Sequence, residues 1–295
     1  MKVSFKRVRG KFSAQNALRT WTTREALIVE LRDGQRVGRG EAAPLPGYSR
    51  ETLDECERAL RAGDVLPAAA EFAWHAAESE LRGQVVPPAA FPLKLATLDP
   101  RAPGAAWKCK LGRDIDTEIA TAETQRRPVR FDANGSLGSN AGEVLARLAA
   151  VGAEFIEEPV PFEQLRALHP SPVPVALDES LHGPDGVDRL REALRKGWAH
   201  VLVVKPMALG HAKARVLCAV AAEYGAPIIV SHLFDGPLAY AASALFAFRF
   251  ATPSYAQGLG RHSALDAYAG YSTSLAANGM LEPWEGDTWP VNEGT

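Results

Sequence analysis

The segment from residue 107 to residue 178 decides the fold, because it contains four short apolar runs that each end in a charged residue. These runs are Trp-Lys-Cys-Lys at 107–110, Val-Arg-Phe-Asp at 129–132, Glu-Phe-Ile-Glu at 154–157 and Val-Pro-Val-Ala-Leu-Asp at 173–178. Similar runs at 200–205 and 227–231 end in Lys205 and Ser231. The six end residues lie 22, 25, 21, 27 and 26 positions apart, and 26 more lead to Gln257. One strand, one helix and two loops fill each step, so the pattern predicts repeated βα units around a parallel sheet.

We interpret the repeat as a closed (β/α) barrel. An open doubly wound sheet has the same step, but no glycine-rich dinucleotide fingerprint follows the first strand here. The first barrel strand is expected at about Phe91 to Ala96. Only about ten residues separate it from Trp107, too few for a helical crossover, which needs roughly a dozen residues or more. The first helix is therefore expected to be reduced or lost.

A different pattern occupies residues 1–90, where strands at about 1–8, 25–32 and 35–41 precede two helical stretches. This arrangement predicts an antiparallel α+β unit. The proline-rich segment 85–92 is its expected junction with the barrel, which we assign to residues 91–271. The tail, about 272–295, has no βα pattern and is expected to pack back onto the N-terminal unit.

The composition excludes several functional classes. The 33 Lys and Arg residues nearly balance 35 Asp and Glu residues, so no overall field attracts nucleic acid or an anionic membrane. No apolar segment reaches the roughly 20 residues that span a bilayer, and residues 1–14 lack the apolar stretch of a signal peptide. Three cysteines without a pairing pattern predict a reducing compartment, the cytoplasm.

Three carboxylates end successive predicted strands: Asp132, Glu157 and Asp178. The C-terminal ends of barrel strands meet at one rim, where barrel active sites lie. Like charges so close raise one another's pKa unless a cation lies among them. Oxygen ligands of this kind suit a hard divalent ion, so we predict a Mg²⁺ site, with Mn²⁺ as the alternative.

Lysines flank this predicted site. Lys108 and Lys110 are two residues apart on one strand and therefore share a face, whereas Cys109 points the other way. Two ammonium groups held together are expected to lower each other's pKa, which suits one of them as a base. Lys205 ends a strand four positions further on, on the opposite side of an eight-position barrel mouth.

Five short motifs follow one another along the chain: Lys108-Cys-Lys110, Phe131-Asp132-Ala-Asn134, Ile156-Glu157-Glu158-Pro159, Leu177-Asp178-Glu179-Ser180 and Val204-Lys205-Pro206. In this order they resemble the enolase superfamily, muconate-lactonizing subgroup. The resemblance covers almost the whole chain and implies an α/β fold, a modified (β/α)7β TIM-type barrel with an N-terminal α+β capping domain. The stretch from Gly38 to Thr52 is similar to the capping loop of o-succinylbenzoate synthases, and residues 19–24 fall where their other mobile loop lies.

The resemblance implies dehydration of 2-succinyl-6-hydroxy-2,4-cyclohexadiene-1-carboxylate to 2-succinylbenzoate, a step in menaquinone biosynthesis. Lys110 would be the base and then the acid, while Lys108 would lower its pKa and Lys205 would place a cation over the substrate ring. The partner is thus a small-molecule carboxylate, and the oligomeric state is left open.

Further residues are predicted to surround the substrate or support the ligands. Candidate substrate contacts are Arg19, Tyr48, Asn134, Ser231, His232, Gly258 and Leu259. Glu158 and Glu179 each follow a ligand by one residue, so strand alternation is expected to turn both away from the metal.

Two other functional classes remain open. An N-succinylamino acid racemase or dipeptide epimerase would use Lys110 and Lys205 on opposite faces of one carbon. Against a dipeptide epimerase, Gln257-Gly-Leu-Gly260 lacks the Asp-x-Asp with which such enzymes hold a substrate ammonium. A non-catalytic binding barrel would have to retain three carboxylates and three lysines without using them.

Overall fold

The structure is a computed structural model that describes residues 1–15, 19–88 and 91–293. It begins with an antiparallel sheet of three strands in the order β1-β2-β3. The strands are β1 (Lys2–Gln15), β2 (Thr20–Asp33) and β3 (Arg36–Ala42), and they are followed by the helices α1 (Leu53–Ala62) and α2 (Ala68–Leu81). We call this unit the cap. Residues 19–24, expected in a mobile loop, instead lie at and within the start of β2, where Thr20 to Arg24 pair with β1.

Glycines in β3 let α2 pack directly on the sheet. A Cβ on Gly40 would lie 1.8 Å from the carbonyl oxygen of Ala73, and one on Gly38 would lie 2.0 Å from that of Ala77. No side chain fits at such a separation from helix backbone. The alternating apolar residues of β2 are buried beneath the same helix, which gives the cap its core.

The barrel sheet has seven parallel strands in unbroken sequence order. They are β5 (Ala96–Thr97), β6 (Ala106–Lys110), β7 (Val129–Asp132), β8 (Phe155–Glu157), β9 (Val175–Leu177), β10 (Val201–Val204) and β11 (Ile228–Val230). The eighth position is the segment at residues 257–258, where Gln257 bridges Leu95 and Gly258 bridges Ser231, both in parallel. These bridges close the sheet, so the predicted (β/α)7β barrel is confirmed.

Helices cover most of the barrel surface. They are α3 (Ile115–Glu123), α4 (Ala141–Ala150), α5 (Gly186–Lys196), α6 (Pro206–Leu209), α7 (His211–Glu223) and α8 (Pro237–Phe250), and a 3₁₀ helix at Phe162–Leu168 takes the place between β8 and β9. Turns alone connect β5 to β6, as the short connection predicted. Helix α8 is buried almost throughout and packs against both β3 and β11, which joins the cap to the barrel.

The predicted first barrel strand, Phe91 to Ala96, is wrong in its extent. Leu93–Lys94 forms a separate strand, β4, which pairs antiparallel with Met280–Leu281 near the chain's end. Only β5 pairs with β6 in the barrel sheet. The chain therefore leaves one sheet and enters another within three residues, which the apolar pattern of this segment does not reveal.

The C-terminal segment forms short strands: β12 (Tyr271–Ser272), β13 (Ala276–Ala277), β14 (Met280–Leu281) and β15 (Asn292–Glu293). The Trp289 indole donates to the carbonyl of Arg39, and its backbone N–H donates to Glu80, both in the cap. The division into domains at residue 90 stays a prediction, and residues 89–90 lie outside the described residues. Over the described ranges, the helices are all too short or too polar to cross a membrane.

Candidate active site

Strand register brings the predicted acidic residues together. Lys110 pairs with Asp132, and Asp132 with Glu157, on three adjacent strands. Glu157 in turn pairs with Ala176, two residues before Asp178. Because the strands are parallel, these residues meet at one end of the barrel, where all three carboxylates are buried.

Ammonium groups neutralise these carboxylates. Lys108 Nζ lies 2.6 Å from Glu157 Oε2 and 2.9 Å from Asp132 Oδ2. Lys110 Nζ donates to the same oxygen of Asp132. No three acidic, histidine or cysteine side chains in the described ranges stand at metal-binding spacing, and each of the three carboxylates is paired with a lysine.

Lys205 lies on the other side of the site, as its position four strands further along predicts. Its ammonium group donates to Asp178 Oδ2 and to the hydroxyl of Tyr48, and it lies 4.9 Å from the centre of the Tyr48 ring. Tyr48 belongs to the cap, so the cap supplies part of the site. The Tyr48 hydroxyl also donates to Glu179 Oε1 at 3.0 Å.

The expectation of a lowered lysine pKa is wrong for Lys108. Burial acts to lower the pKa of Lys108, but the carboxylates of Asp132 and Glu157 outweigh burial and raise it. The pKa of Lys205 is likewise raised, because Asp178 and Glu179 outweigh its burial. The sequence pattern places Lys108 and Lys110 beside one another but does not show that carboxylates lie against their ammonium groups.

Glu158 and Glu179 differ in where they point. Glu158 is turned away as predicted: its carboxylate accepts the backbone N–H groups of Asp178 and Ser180 at 2.7 and 2.9 Å, which fixes the loop that carries Asp178. Burial raises the pKa of Glu158 to about 8. Glu179 lies beside the three carboxylates: β9 ends at Leu177, a 3₁₀ turn follows, and Glu179 Oε1 accepts hydrogen bonds from Tyr48 and Asn134. Strand alternation no longer applies there, and the predicted supporting role of Glu179, without binding the metal, stays a prediction.

Asn134 links the two sides of the site. Its amide nitrogen donates to Glu179 Oε1 at 2.8 Å, and its Oδ1 lies 3.4 Å from Lys110 Nζ. The residue has a φ of 47°, in the left-handed region that asparagine tolerates better than most residues. Its predicted position beside the charged cluster is therefore observed.

A cleft of about 670 Å³, counting its part open to solvent, lies between the cap and this end of the barrel. Of the predicted contacts, Tyr48, Ser231, His232 and Gly258 line it, together with all three lysines. Leu259 does not: its side chain is buried and its carbonyl accepts a hydrogen bond from Tyr240. Arg19 is exposed and lies against Gly47, outside the described lining.

Several residues that line the cleft are outside the predicted set. Trp21 and Leu45 come from the cap, Leu98 from the segment after β5, and Phe234 and Arg261 from the barrel rim. None of them belongs to a motif with a chemical role. They are brought together by contacts between distant segments, which a local pattern does not encode.

Arg24 is the most informative of the missed residues, although it does not line the cleft. It is 1% exposed and donates to the carbonyls of Pro44 and Ala43 in the cap and of Leu233 and Phe234 in the rim loop. Strand alternation carried a signal for it, because Arg24 shares the buried face of β2 with Ala26 and Ile28.

A second buried charge reinforces this junction. Glu41 accepts the N–H groups of Gly236 and Ala239 at 2.8 and 3.2 Å, at the start of α8. Burial raises its pKa to about 7. Phe234, held between these contacts at a φ of 52°, packs near Trp21 with ring centres 6.4 Å apart. The cap and the barrel thus build one wall of the cleft jointly.

Comparison with known proteins agrees with this geometry. Residues 101–285 match the family described as "Enolase C-terminal domain-like", over more than half of the chain. The chain belongs to the enolase superfamily. Residues 15–99 match "MenC, N-terminal domain", so the enolase-superfamily resemblance and the fold class predicted from the motifs are both confirmed.

Individual members of the enolase superfamily are similar over nearly the whole length. The o-succinylbenzoate synthase of Salmonella arizonae is 29% identical in an alignment that covers 91% of this chain and 89% of the relative. The L-Ala-D/L-Glu epimerase of Bacillus subtilis superposes with a TM-score of 0.81 at 20% identity, covering 100% of this chain and 99% of that one. The o-succinylbenzoate synthase of Thermosynechococcus elongatus BP-1, solved with Mg in its active site, gives 0.69 at 20% identity, covering 95% and 97%. At these identities, the two structures show a shared fold alone.

Proposed function

We propose that this protein is an o-succinylbenzoate synthase, which dehydrates 2-succinyl-6-hydroxy-2,4-cyclohexadiene-1-carboxylate to 2-succinylbenzoate. The observation that carries the proposal is the pair of lysine groups on opposite sides of three buried carboxylates, at the base of a cleft that the cap covers. The 29% identical synthase and the match of residues 15–99 support this activity over others of the superfamily.

The side chains of the site fit the two steps of such a dehydration. Lys110 Nζ would take the proton from the ring carbon that bears the carboxylate, and the electron pair left behind would delocalise into that carboxylate. The same Nζ would then return the proton to the departing hydroxyl, so that water leaves and the ring becomes aromatic. Lys205 would face the opposite side of the ring as a fixed cation, worth about 0.5–2 kcal/mol as a cation–π contact.

The chemical type of the donors, rather than their spacing in this structure, fits a divalent metal ion. Asp132, Glu157 and Asp178 are buried carboxylates on adjacent elements, and Asp178 Oδ1 has no hydrogen-bond partner among the described residues. Oxygen donors of this kind are those of Mg²⁺, with Mn²⁺ as the alternative. When bound, Mg²⁺ supplies charge stabilisation for the substrate carboxylate as it becomes an enediolate. Lys108 would hold the same carboxylate by charge.

The charge of the cleft favours an anionic substrate. Its charged lining residues, among those described, are Lys108, Lys110, Lys205 and Arg261, and no acidic residue lines it with them. A substrate ammonium would contact these cations before it reached the carboxylates paired with them, and contact between like charges costs free energy. This argues against a dipeptide as substrate, whereas a dicarboxylate with an apolar centre matches the cations and the walls of Trp21 and Phe234.

A second candidate, N-succinylamino acid racemase, has one observation in its favour. Lys110 and Lys205 approach from opposite sides, as removal and return of a proton on two faces of one carbon requires. An N-succinylamino acid is also an anion. A non-catalytic binding barrel is less well supported, because it would keep the three buried carboxylates and their lysine partners without using them.

The experiment is a Mg²⁺-dependent assay with freshly prepared cyclohexadiene substrate, which follows formation of the aromatic product. Lys110→Ala and chelation of the metal are each expected to abolish turnover. Lys94→Ala, a change of the same kind at an exposed strand residue, is the matched control and should retain it. Turnover that survives in Lys110→Ala would refute the assignment of the base, and its absence from the wild type would refute the synthase.

The proposal extends to the setting of the enzyme. An o-succinylbenzoate synthase serves menaquinone biosynthesis, and its substrate is a small water-soluble carboxylate. The three cysteines are buried and unpaired, as expected of a protein from a reducing compartment, and we retain the cytoplasm as the proposed location.

A further inference from the structure

One cation of the cleft is separate from the charged cluster. Lys108, Lys110 and Lys205 are all bound to the buried carboxylates that end the barrel strands. Arg261 also lines the cleft, but its described ion pair is with Asp266, five residues further along the chain and outside the cluster. Arg261 therefore stands apart from the cluster of lysines and buried carboxylates.

The backbone fixes where Arg261 stands. A Cβ on the preceding Gly260 would lie 2.3 Å from the carbonyl oxygen of Ala96, so the chain passes directly against the first strand of the barrel sheet. The 3₁₀ turn at Ser263–Asp266 then brings Asp266 back to the guanidinium. Arg261 is therefore held at the rim by both its neighbours in sequence and its ion pair.

The guanidinium retains open donors. Its Nη2 donates to both oxygens of Asp266, at 2.9 and 2.7 Å. Its Nε and Nη1 have no hydrogen-bond partner among the described residues, and its side chain is 51% exposed. An arginine with open N–H groups binds carboxylates in a forked geometry that a lysine does not offer. Asp266 orients the group without using all of its donors.

We propose that Arg261 binds the second carboxylate of a dicarboxylate substrate, the one that does not lie at the lysine cluster. This inference rests on the proposed function, whose substrate carries a ring carboxylate and a succinyl carboxylate. The lysine cluster takes the first by charge, the apolar walls of Leu98 and Phe234 contact the part between, and Arg261 takes the second at the rim.

Two ligands that differ only at the distal group test this subsite. 2-Succinylbenzoate has the second carboxylate, whereas 2-butyrylbenzoate has a methyl group in its place. Their affinities are measured by titration calorimetry with Mg²⁺ for the wild type and for Arg261→Met. The variant is expected to weaken 2-succinylbenzoate by about 10- to 100-fold, the value of a charge-assisted hydrogen bond, and to change 2-butyrylbenzoate by less than about twofold.

Two further variants control for the loss of one positive charge and for the loss of the Arg261–Asp266 ion pair. Arg191→Met removes an equal charge from α5, where Arg191 pairs with Asp188, and should leave both affinities unchanged. Asp266→Asn releases Arg261 from its ion pair and should retain or strengthen binding of the dicarboxylate. Equal loss of both ligands in Arg261→Met, no loss of either, or binding of neither by the wild type would overturn the subsite.

The turnover assay separates this proposal from the proposed function. If the wild type dehydrates the cyclohexadiene but Arg261→Met keeps its preference for 2-succinylbenzoate, the subsite is wrong and the synthase stands. If the wild type shows no turnover but the preference disappears in Arg261→Met, the synthase is wrong and the dicarboxylate subsite stands.

Discussion

Replacing Arg24 with methionine is expected to break the junction between the cap and the barrel rim. The guanidinium serves four carbonyls, two in the cap and two in the loop that carries Phe234. Methionine has a similar length but donates no hydrogen bond, so these carbonyls lose their donor in a buried place. The nearby carboxylate of Glu41, which interacts with the Arg24 charge, loses that partner as well.

The size of the effect follows from these contacts. A hydrogen bond to a charged group contributes roughly 1.5–3 kcal/mol, but four carbonyls that share one donor group do not add independently. Removal of one partner from a buried charged network costs about 3–5 kcal/mol. We therefore expect Arg24→Met to lower the free energy of unfolding by about 3–5 kcal/mol.

Urea unfolding at pH 7 measures this change. Arg36→Met is the matched control, because Arg36 is exposed in the neighbouring strand β3, and it should change the free energy of unfolding by less than about 0.5 kcal/mol. In steady-state kinetics, Arg24→Met should raise KM more than it lowers kcat. The reason is that Phe234, which Arg24 holds, lines the cleft but is neither one of the lysines nor one of the buried carboxylates. A loss of stability below about 1 kcal/mol would refute our account of the junction.

Three further predictions concern single side chains. Burial raises the pKa of Glu41 from 4.5 to about 7. The stability that this carboxyl contributes is therefore complete below pH 4.5 and is lost as the pH rises through 7. Between pH 5 and 8, the wild type should therefore lose about 2 kcal/mol more than Glu41→Gln in urea unfolding, and equal losses would argue against this. Gly40→Ala should destabilise the cap by about 3 kcal/mol in thermal unfolding, because its Cβ would lie 1.8 Å from the backbone of α2. Gly138→Ala is the control and should be near neutral, because open space surrounds that position. Similar melting temperatures for the two variants would contradict the close packing. Tyr48→Phe should keep the ring beside Lys205 but lower kcat/KM about tenfold, which is the value of one hydrogen bond to a charged group. An unchanged kcat/KM would show that the hydroxyl has no role in turnover.

The barrel was predictable from sequence because its signal is periodic. Each βα unit repeats the same step, and each strand end carries a polar residue that the parallel register then aligns, as Asp132 and Glu157 show. Errors arose where the chain leaves this regularity. Leu93–Lys94 pairs with Met280–Leu281, a contact across most of the chain that has no local pattern.

The site was predictable in part for the same reason. The positions of the three lysines and three carboxylates follow from strand ends, so local periodicity finds them. Strand alternation gives no direction for the Glu179 side chain, because β9 stops one residue before Asp178. The wall of the cleft was missed because it depends on contacts between distant segments. Arg24 of the cap holds the left-handed backbone at Phe234, and Glu41 of the cap holds Gly236 two residues later.

The measurement that tests the central claim most directly compares two reactions in one preparation of the wild-type protein. The kcat/KM for dehydration of 2-succinyl-6-hydroxy-2,4-cyclohexadiene-1-carboxylate is set against that for racemisation of N-succinylamino acids, followed by deuterium exchange in heavy water. We predict that dehydration is faster by at least about 100-fold and that Lys110→Ala abolishes it, a difference of roughly 2.7 kcal/mol in transition-state binding. Racemisation at an equal or greater kcat/KM would contradict the synthase and assign the two opposed lysines to proton transfer on both faces of one carbon.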